Sequence, residues 1–358
     1  MKHRGWVETD SETDWDFFWA DVQWISSEMD SFRFRPTQHV NHFRSYYEMC
    51  HKDQLIKNLK KFKRQLERDG NTAEAAHYDF FPQTFYLPQE YGLWREAFKN
   101  TQQQQVTWIM KPVRRPRLPG NPGLTFIYGL LGWEFGLHRQ ISRCQGQGIF
   151  LVNKLSQVAD WRVDPRYHPS DDGSPPVEPY ICQRYVDRPY LVGGRKFDLR
   201  LYCLVTSYAP LTAYIYRSGF ARFTFNRFSM DPDSMADRFV HLTNVAIQKT
   251  SPDYDANNGC KWDLHSLKQY IISRHGMPAA TGVMVNDKHC SELYGYDILL
   301  DADLKPWLLE VNASPSSPPT RPILDPLHVG GFDLVYSGRP VTNSRSALCP
   351  SPSACTTP

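Results

Sequence analysis

Near its end the chain carries three residues with oxygen ligands on two consecutive apolar segments. The segments 294–300 and 306–312 read YGYDILL and PWLLEVN and are joined by a polar turn. They place Asp297 on one predicted strand, and Glu310 with Asn312 on one face of the next, because alternate strand residues share a face. A buried carboxylate is costly unless it is paired or binds a cation, and hard oxygen ligands suit Mg²⁺. The pattern favours a magnesium site over simple capping of strand ends.

A second row of charged residues lies on the segment GGRKFDLRLY. Lys196, Asp198 and Arg200 occupy alternate positions of a predicted strand and therefore share a face. Charges of both signs on one face indicate either an exposed row of ion pairs or the lining of a nucleotide cleft. The row alone does not separate these two interpretations.

A glycine run could contact phosphate, and one further segment carries polar candidates. Gln145 and Gly146 begin the run QGQG, whose glycines would let backbone N–H groups approach a phosphate closely. The run is neither a Walker loop nor a Rossmann fingerprint, because no G-K-[ST] is present and a predicted strand follows it. In HLTNVAIQK, Thr243 and Asn244 are the polar candidates, and the alternative there is a turn or a helix cap.

The composition excludes several classes of protein. The 358 residues include 41 Lys and Arg against 38 Asp and Glu, and a net charge of +3 gives no overall attraction to nucleic acid. A hydrophobic share of 41% excludes wholesale disorder. No apolar run is long enough for a membrane span or a signal peptide, and the eight cysteines form no C-x-x-C pair. We expect a soluble intracellular protein that binds neither membrane nor nucleic acid.

The pattern of apolar residues predicts the helices and strands that position these side chains. An aromatic-rich segment at 15–24 predicts a packed core element. The segment 52–69 predicts a helix with an apolar stripe of Leu55, Leu59, Phe62 and Leu66. Its other face carries seven basic side chains against three acidic ones, which is either a solvated surface or a docking surface for an acidic partner.

Strands are predicted in the middle of the chain and after the polar loop at 165–179. The first covers 106–113, and the segments ICQRYV, KFDLRLYCLVTSY and LTAYIYRSG follow the loop, rich in β-branched and aromatic residues. The sequence contains no G-x-S-x-G or H-E-x-x-H motif, which argues against hydrolase and zinc chemistry.

Together these segments resemble the ATP-grasp domain of the tubulin–tyrosine-ligase-like family, and within it the tubulin polyglutamylases. The resemblance is carried by GGRKFDLRLY, GFARF, HLTNVAIQKTSPDY, GCKW, NDKHC and YGYDILLDADLKPWLLEVNASPS, and covers most of residues 4–316. It implies an α/β fold in which an ATP-grasp ligase domain at 106–316 follows a smaller N-terminal mixed α/β domain at 1–105. Residues 317–358, rich in proline and serine, are expected to form a largely disordered tail.

The resemblance also implies roles for individual residues toward ATP. Lys111 and Lys196 would contact the phosphates, and Gln145 with Gly146 would form the phosphate loop. The adenine pocket would be lined by Gln183, Arg184, Tyr185 and Val186. Asp198 would lie near the ribose, and Thr243 and Asn244 at the phosphate end.

For the metal and the amino acid, the resemblance implies that Asp297, Glu310 and Asn312 hold Mg²⁺. Arg222 and Lys261 would bind the carboxylates of free L-glutamate, together with Val245 and Ala246. A carboxylate of the acidic tubulin tail would be activated by ATP as an acylphosphate, which the amine of glutamate then attacks. Mg²⁺, lysines and arginine suit this reaction because both steps build negative charge.

Two other functions remain open, a tubulin glycylase of the same fold and a catalytically impaired microtubule- or cilium-associated binding protein. Arg222 argues for glutamate, since a second cation is useful only for a second carboxylate. The resemblance implies a location in the cytoplasm on the cytoskeleton, at a cilium or flagellum axoneme or basal body. It does not tell which tubulin is modified or whether auxiliary subunits take part.

The sequence departs from the family pattern in ways that bear on activity. An apparent insertion at 114–143 separates Lys111 from the predicted phosphate loop, and it is rich in apolar residues. Before Val283 only the short run MPAATG stands where the family has a further helix. We expect the fold to survive these changes, whereas the catalytic competence of this chain is in question.

Overall fold

The computed structural model describes residues 5–101, 106–113, 148–161, 178–252, 260–275, 291–313 and 332–337. This part of the chain is a mixed α/β protein with three β-sheets. None of its helices combines the length and the apolar character needed to cross a membrane. The predicted insertion at 114–143 and the predicted loss before Val283 lie outside the described residues.

The helices are α1 (Val22–Ser27), α2 (Tyr47–Cys50), α3 (Lys52–Arg68), α4 (Thr72–His77), α5 (Tyr91–Thr101), α6 (Arg238–His241), α7 (Val245–Gln248) and α8 (Leu264–His275). The strands are β1 (Phe17–Phe18), β2 (His39–Val40), β3 (Thr84–Leu87), β4 (Trp108–Pro112), β5 (Phe150–Val152), β6 (Tyr180–Arg184), β7 (Leu191–Val192), β8 (Arg195–Tyr208), β9 (Leu211–Phe223), β10 (Lys261–Asp263), β11 (Glu292–Leu300), β12 (Pro306–Ala313) and β13 (Phe332–Ser337).

The largest sheet holds seven strands in the order β10-β9-β8-β11-β12, with β7 paired to β8 and β13 paired to β9. All its pairings are antiparallel. The predicted strands at 196–208, 211–219, 294–300 and 306–312 are confirmed, because their β-branched and aromatic runs fit a half-buried pleated surface. Within the tail, which is predicted to be largely disordered, residues 332–337 form strand β13 against β9.

A second sheet has four antiparallel strands in the order β3-β6-β4-β5. It confirms the strand predicted at 106–113 and the one predicted from Ile181. Strand β3 precedes the predicted domain boundary at residue 105, and its partner β6 follows it. The sheet therefore takes strands from both sides of that boundary.

The N-terminal aromatic segment packs on the large sheet. Trp15 and Phe43 share one buried cluster with Tyr208 of β8 and Tyr294 of β11. The predicted core element is confirmed for Trp15 and wrong for Trp19, which is 54% exposed. The segment 15–24 has only short elements, so not every aromatic side chain can turn inward.

Helix α3 confirms the helix predicted at 52–69, with Asp69 as its C-terminal cap. Its apolar stripe is buried only in the first two turns, where Leu55 and Ile56 face the core. Phe62 is 45% exposed, so the stripe prediction is wrong for this residue, because the helix extends past the core that covers its start. Part of the basic face is neutralised within the protein, because Lys52 and Lys60 each form an ion pair with a glutamate.

Candidate active site

The three predicted metal ligands come together on neighbouring strands. Strand register pairs Asp297 with Glu310 and Gly295 with Asn312. Nδ2 of Asn312 lies 3.4 Å from Oδ2 of Asp297 and donates to the carbonyl of Gly295 at 3.3 Å. A bulge follows Asp297, where the β11–β12 register shifts.

Asp297 is the centre of a buried ionic network. Its Oδ1 accepts from Nε of Arg200 at 2.5 Å, and its Oδ2 lies 2.7 Å from Nη2 of Arg222. Arg222 also makes a two-point contact with Asp198, through Nε at 2.8 Å and through Nη2. All four side chains are at least nine-tenths buried. The charged row on β8 therefore lies in the interior rather than in solvent.

Glu310 has a cationic partner that the sequence did not indicate. Nζ of Lys52, the first residue of α3, lies 2.6 Å from Oε2 of Glu310. Burial opposes ionisation of Glu310, but Lys52 and then Lys111 hold its pKa below the ordinary value. Burial raises the pKa of Asp297 to about 6, against the opposing effect of Arg222. Glu310 is therefore the ionised member of this pair, and Asp297 keeps its proton more readily.

Lys111 lies in the core of the four-stranded sheet. Its Nζ donates to Oε1 of Gln183 at 2.6 Å, and Nε2 of Gln183 donates to the hydroxyl of Thr84 at 3.0 Å. Burial lowers the pKa of Lys111 to about 8, and Glu310 opposes this shift. Strand register places Lys111 opposite Ile181 and Gln183 opposite Ile109, so β4 and β6 together carry this polar chain.

Lys196 is held by two acceptors. Its Nζ donates to Oη of Tyr185 at 2.8 Å and to the carbonyl of His241 at 3.0 Å. Burial lowers the pKa of Lys196 to about 7, and Asp198 opposes the shift. Two predicted residues, Lys196 and Tyr185, are therefore in direct contact.

The two residues predicted to bind glutamate lie side by side on the edge of the large sheet. Lys261 of β10 pairs in register with Arg222 of β9. Partial burial and the charges of Lys249 and Arg222 lower the pKa of Lys261. Asp198 and Asp297 raise the pKa of Arg222 despite its burial. Lys249 and Arg222 therefore oppose the charge of Lys261, while Arg222 itself is paired with two aspartates.

The other predicted residues differ in their placement. Thr243 is buried, and Asn244 caps α7 through its carbonyl, which accepts from Ile247 and Gln248, without a side-chain cap. Val245 and Ala246 are half-buried in the first turn of α7, Arg184 is exposed at the end of β6, and Val186 is half-buried. Gln145 and Gly146 lie outside the described residues.

With this geometry in place, comparison with known proteins identifies the family. A profile of the tubulin-tyrosine ligase family matches residues 29–118, 138–277 and 270–333. The chain belongs to the tubulin-tyrosine ligase family. It is 41% identical to a rat protein named probable tubulin polyglutamylase TTLL9, over 409 aligned positions that cover 96% of this chain and 82% of the relative.

More distant relatives carry related names. A Caenorhabditis elegans protein named probable tubulin polyglutamylase ttll-9 is 40% identical over 87% of this chain and 70% of its own length. The human tubulin monoglutamylase TTLL4 is 31% identical over 90% of this chain and 26% of its own length. The family profile leaves residues 119–137 unmatched, and these lie inside the segment predicted as an insertion.

Three residues of the candidate site are not among the predicted site residues. Arg200 stood in the charged row, but its partner Asp297 is on a distant strand. His241 begins the motif HLTN, where only Thr243 and Asn244 were considered. Lys52 lay in a basic helix, and no local pattern links it to Glu310.

A cleft of about 640 Å³ lies beside this site, between β5 and the segment 232–242. Phe150, Leu151, Lys154 and Arg238 are among its lining residues, and His241 is the point where it meets the cluster around Lys196. None of the predicted ligand residues that the structure describes lines it.

The donor set at Asp297 fits a divalent cation. Strand register sets the carboxyls of Asp297 and Glu310 opposite each other, where one cation would neutralise both. Within the described ranges no three His, Cys, Asp or Glu side chains converge, so Asn312 would be the third ligand. Mg²⁺ accepts such a set, since it takes one or two protein carboxylates and fills its shell with water and phosphate oxygens.

Proposed function

We propose that this family member is an ATP-dependent tubulin polyglutamylase with an ATP-grasp ligase domain. It ligates free L-glutamate to side-chain carboxylates of tubulin C-terminal tails. The observation that supports this most is the cross-strand pair Asp297–Glu310, set among Lys52, Lys111 and Arg222, in a chain whose relatives are named tubulin glutamylases. The ionic set suits transfer of a phosphoryl group between anions.

The nucleotide would lie between the two larger sheets. Lys111 and Lys196 would meet its phosphates, and both are buried lysines whose charged form a phosphate would stabilise. The strand end at Gln183, Arg184, Tyr185 and Val186 would border the adenine, and Asp198 the ribose. Thr243, Asn244 and the loop at Gln145 and Gly146 would complete the phosphate end.

Asp297, Glu310 and Asn312 would hold Mg²⁺. Bound Mg-ATP would supply the phosphoryl group that activates the tail carboxylate as an acylphosphate. The chain's own contribution is to place cations around developing negative charge and to hold them rigidly. The two-point contact of Arg222 with Asp198 serves this rigidity.

Free glutamate would bind at the edge formed by Arg222 and Lys261, with Val245 and Ala246 nearby. The cations Lys249 and Arg200 add to the field there, since both oppose the charge of Lys261. Glutamate has two carboxylates and glycine has one, so glutamate relieves more of the repulsion between these cations. The edge therefore favours glutamate over glycine.

The acidic tail has a complementary surface on α3. Lys57, Lys61, Arg64 and Arg68 are exposed and lie four, three and four residues apart, which places them on one side of the helix. We call them the basic stripe. We infer that the stripe guides the tail toward Lys52 and Glu310, at the start of the same helix. Cytoskeletal association, at a cilium or flagellum axoneme or basal body, would follow from this substrate.

A ligase assay tests the proposal. The purified full chain is incubated with microtubules, Mg-ATP and labelled glutamate or glycine. We expect glutamate incorporation that Glu310→Gln abolishes and that Glu67→Gln, at an exposed position of α3, preserves. Incorporation of glycine alone would assign a glycylase.

A catalytically impaired binding protein is the second candidate, favoured by the break in the family match at 119–137. Nucleotide binding without transfer of either amino acid would establish it and overturn the ligase. Transfer that appears only after deletion of 114–143 would assign the defect to that segment.

A further inference from the structure

A short chain of buried hydrogen bonds ends at Lys196. Nζ of Lys196 donates to Oη of Tyr185 at 2.8 Å, and Oη of Tyr185 lies 2.9 Å from Nδ1 of His241. On its other side, Nε2 of His241 lies 3.0 Å from the carbonyl of Ser234. His241 and Lys196 are also linked directly, through the carbonyl of His241.

The Ser234 carbonyl settles which nitrogen of His241 carries the proton. A carbonyl oxygen only accepts, so Nε2 is the protonated nitrogen and Nδ1 has a free lone pair. The ring stays neutral because burial and the charge of Lys196 lower the pKa of His241 to about 4. The negative charge of Asp237 acts in the opposite direction. Nδ1 must therefore accept the hydroxyl proton of Tyr185.

This arrangement fixes the direction of the next hydrogen bond. The Tyr185 hydroxyl has one proton, and Nδ1 of His241 takes it. Toward Lys196 the tyrosine oxygen can then only accept, and an ammonium is the form of lysine that only donates. Without Nδ1, the hydroxyl could turn and donate to a neutral Lys196 amine instead.

We propose that His241 is a positioning residue that keeps Lys196 an ammonium by fixing the direction of the Tyr185–Lys196 hydrogen bond. The inference rests on the proposed function, in which Lys196 meets an ATP phosphate. The other charges that face Lys196 are Asp198 on its own strand, which favours the ammonium, and Lys111 on β4, which opposes it. His241 acts on the same protonation equilibrium of Lys196 through the hydroxyl of Tyr185.

The charge of Lys196 can be followed in the full-length protein without nucleotide. Lysines are labelled with ¹³C at Cε, the Lys196 signal is assigned with Lys196→Arg, and its chemical shift is titrated from pH 5 to 10. We expect a midpoint near 7 in the natural chain. Tyr185→Phe and His241→Gln should lower the midpoint by about one pH unit.

The two histidine variants form a matched pair. The oxygen of asparagine lies close to the position of Nδ1, so His241→Asn keeps an acceptor for Tyr185. The amide of glutamine reaches the position of Nε2, so His241→Gln keeps the contact with Ser234 and loses that acceptor. We expect His241→Asn to retain the natural midpoint, and His265→Gln, on the exposed side of α8, to leave it unchanged.

ATP binding gives a second readout. The ratio of variant to natural Kd for Mg-ATP cancels the titration of ATP itself. For Tyr185→Phe and His241→Gln this ratio should be about fivefold at pH 7, approach about tenfold above pH 8 and fall toward one in acid. A purely structural role would raise Kd equally at every pH.

Three outcomes decide the matter. Midpoints that stay unchanged in Tyr185→Phe and His241→Gln overturn the inference, as does a shift in His241→Asn equal to that in His241→Gln. Tyr185→Phe removes a single oxygen and keeps the test available if a histidine variant does not fold. A natural chain that binds no ATP at any pH overturns the proposed function, and the inference with it.

Discussion

Nζ of Lys52 lies 2.6 Å from Oε2 of Glu310, and this contact joins the first residue of α3 to β12 of the large sheet. The pair brings the helix that carries the basic stripe against the carboxylates of the candidate metal site. Lys52 also lies close enough to Lys111 to oppose its charge. The acceptor and nucleotide ends of the proposed site therefore meet at the start of α3.

Lys52→Ala should lower the free energy of unfolding modestly, and only above acidic pH. Lys52 and Glu310 keep 34% and 21% of their side-chain exposure, so solvent screens the pair and its contribution is at most about 1 kcal/mol. Lys52 lowers the folded pKa of Glu310, so this contribution is present above the unfolded value of about 4.3 and is lost as pH falls through the folded pKa.

Urea unfolding of Lys52→Ala and the natural chain at several pH values measures this difference. Lys57→Ala, further along the same helix and exposed, serves as the control. A difference that persists unchanged in strong acid would contradict the ionic origin of the contact.

Asp297→Asn should destabilise the fold strongly. It leaves Arg200 without its carboxylate partner and removes one of the two carboxylates of Arg222, all in the interior. Loss of one member of a buried ion pair typically costs about 3–5 kcal/mol. The midpoint of urea unfolding should fall accordingly.

Asp303→Asn is the matched control for that variant. Asp303 pairs with Arg188 at the surface, where both side chains are more than two-thirds exposed, so little change is expected. Equal effects of the two variants would show that the network around Asp297 contributes nothing special.

Lys111→Met should change the pH dependence of stability. Burial lowers the folded pKa of Lys111 to about 8, below the unfolded value of about 10.4. Between these values the unfolded chain binds the proton and the folded chain does not, so the natural protein gains stability as pH rises through this window.

The variant lacks this gain. The difference in unfolding free energy should therefore move in favour of the natural chain between pH 8 and about 10.4, while nucleotide binding is lost at all pH values. Lys99→Met, at an exposed position of α5, should follow the natural curve. If the unfolding free energies of Lys111→Met and the natural chain changed in parallel with pH, burial would not be lowering the pKa of the Lys111 amine.

Reversing charge in the basic stripe should weaken binding to microtubules. Lys61→Glu with Arg64→Glu removes two exposed cations and adds two anions, so attraction to an acidic tail falls and its salt dependence flattens. Co-sedimentation with microtubules at several salt concentrations measures this. Lys99→Glu with Lys268→Glu makes the same net change elsewhere, and an equal loss of binding there would assign the effect to overall charge.

The strands of the site could be predicted from the sequence because their signal is local. Alternation and β-branched residues mark β8, β11 and β12, and they place Glu310 and Asn312 on one face without any knowledge of the fold. The approach of Asp297 to Glu310 followed from one tight turn between adjacent strands.

The partners of these residues could not be predicted in the same way. The pairing of Arg200 with Asp297 depends on the register of β8 and β11, whose residues are far apart in the sequence. The contact of Lys52 with Glu310 depends on how α3 packs on the sheet, and periodicity reports only that a helix exists. The role of Ser234 toward His241 lies in a backbone carbonyl, which no side-chain pattern reveals.

The four-stranded sheet has a consequence for the synthesis of the protein. Its strands come from residues 84–87, 108–112, 150–152 and 180–184, and β6 lies between β3 and β4. Within the described part of the chain, β3 pairs with β6 alone, so it has no partner until the ribosome has released the last of these segments. A transcript that stops before residue 180 therefore loses the middle of the sheet rather than its edge. Lys111 would then lack its hydrogen-bond partner Gln183, so a product shortened in this way could not keep the proposed nucleotide site.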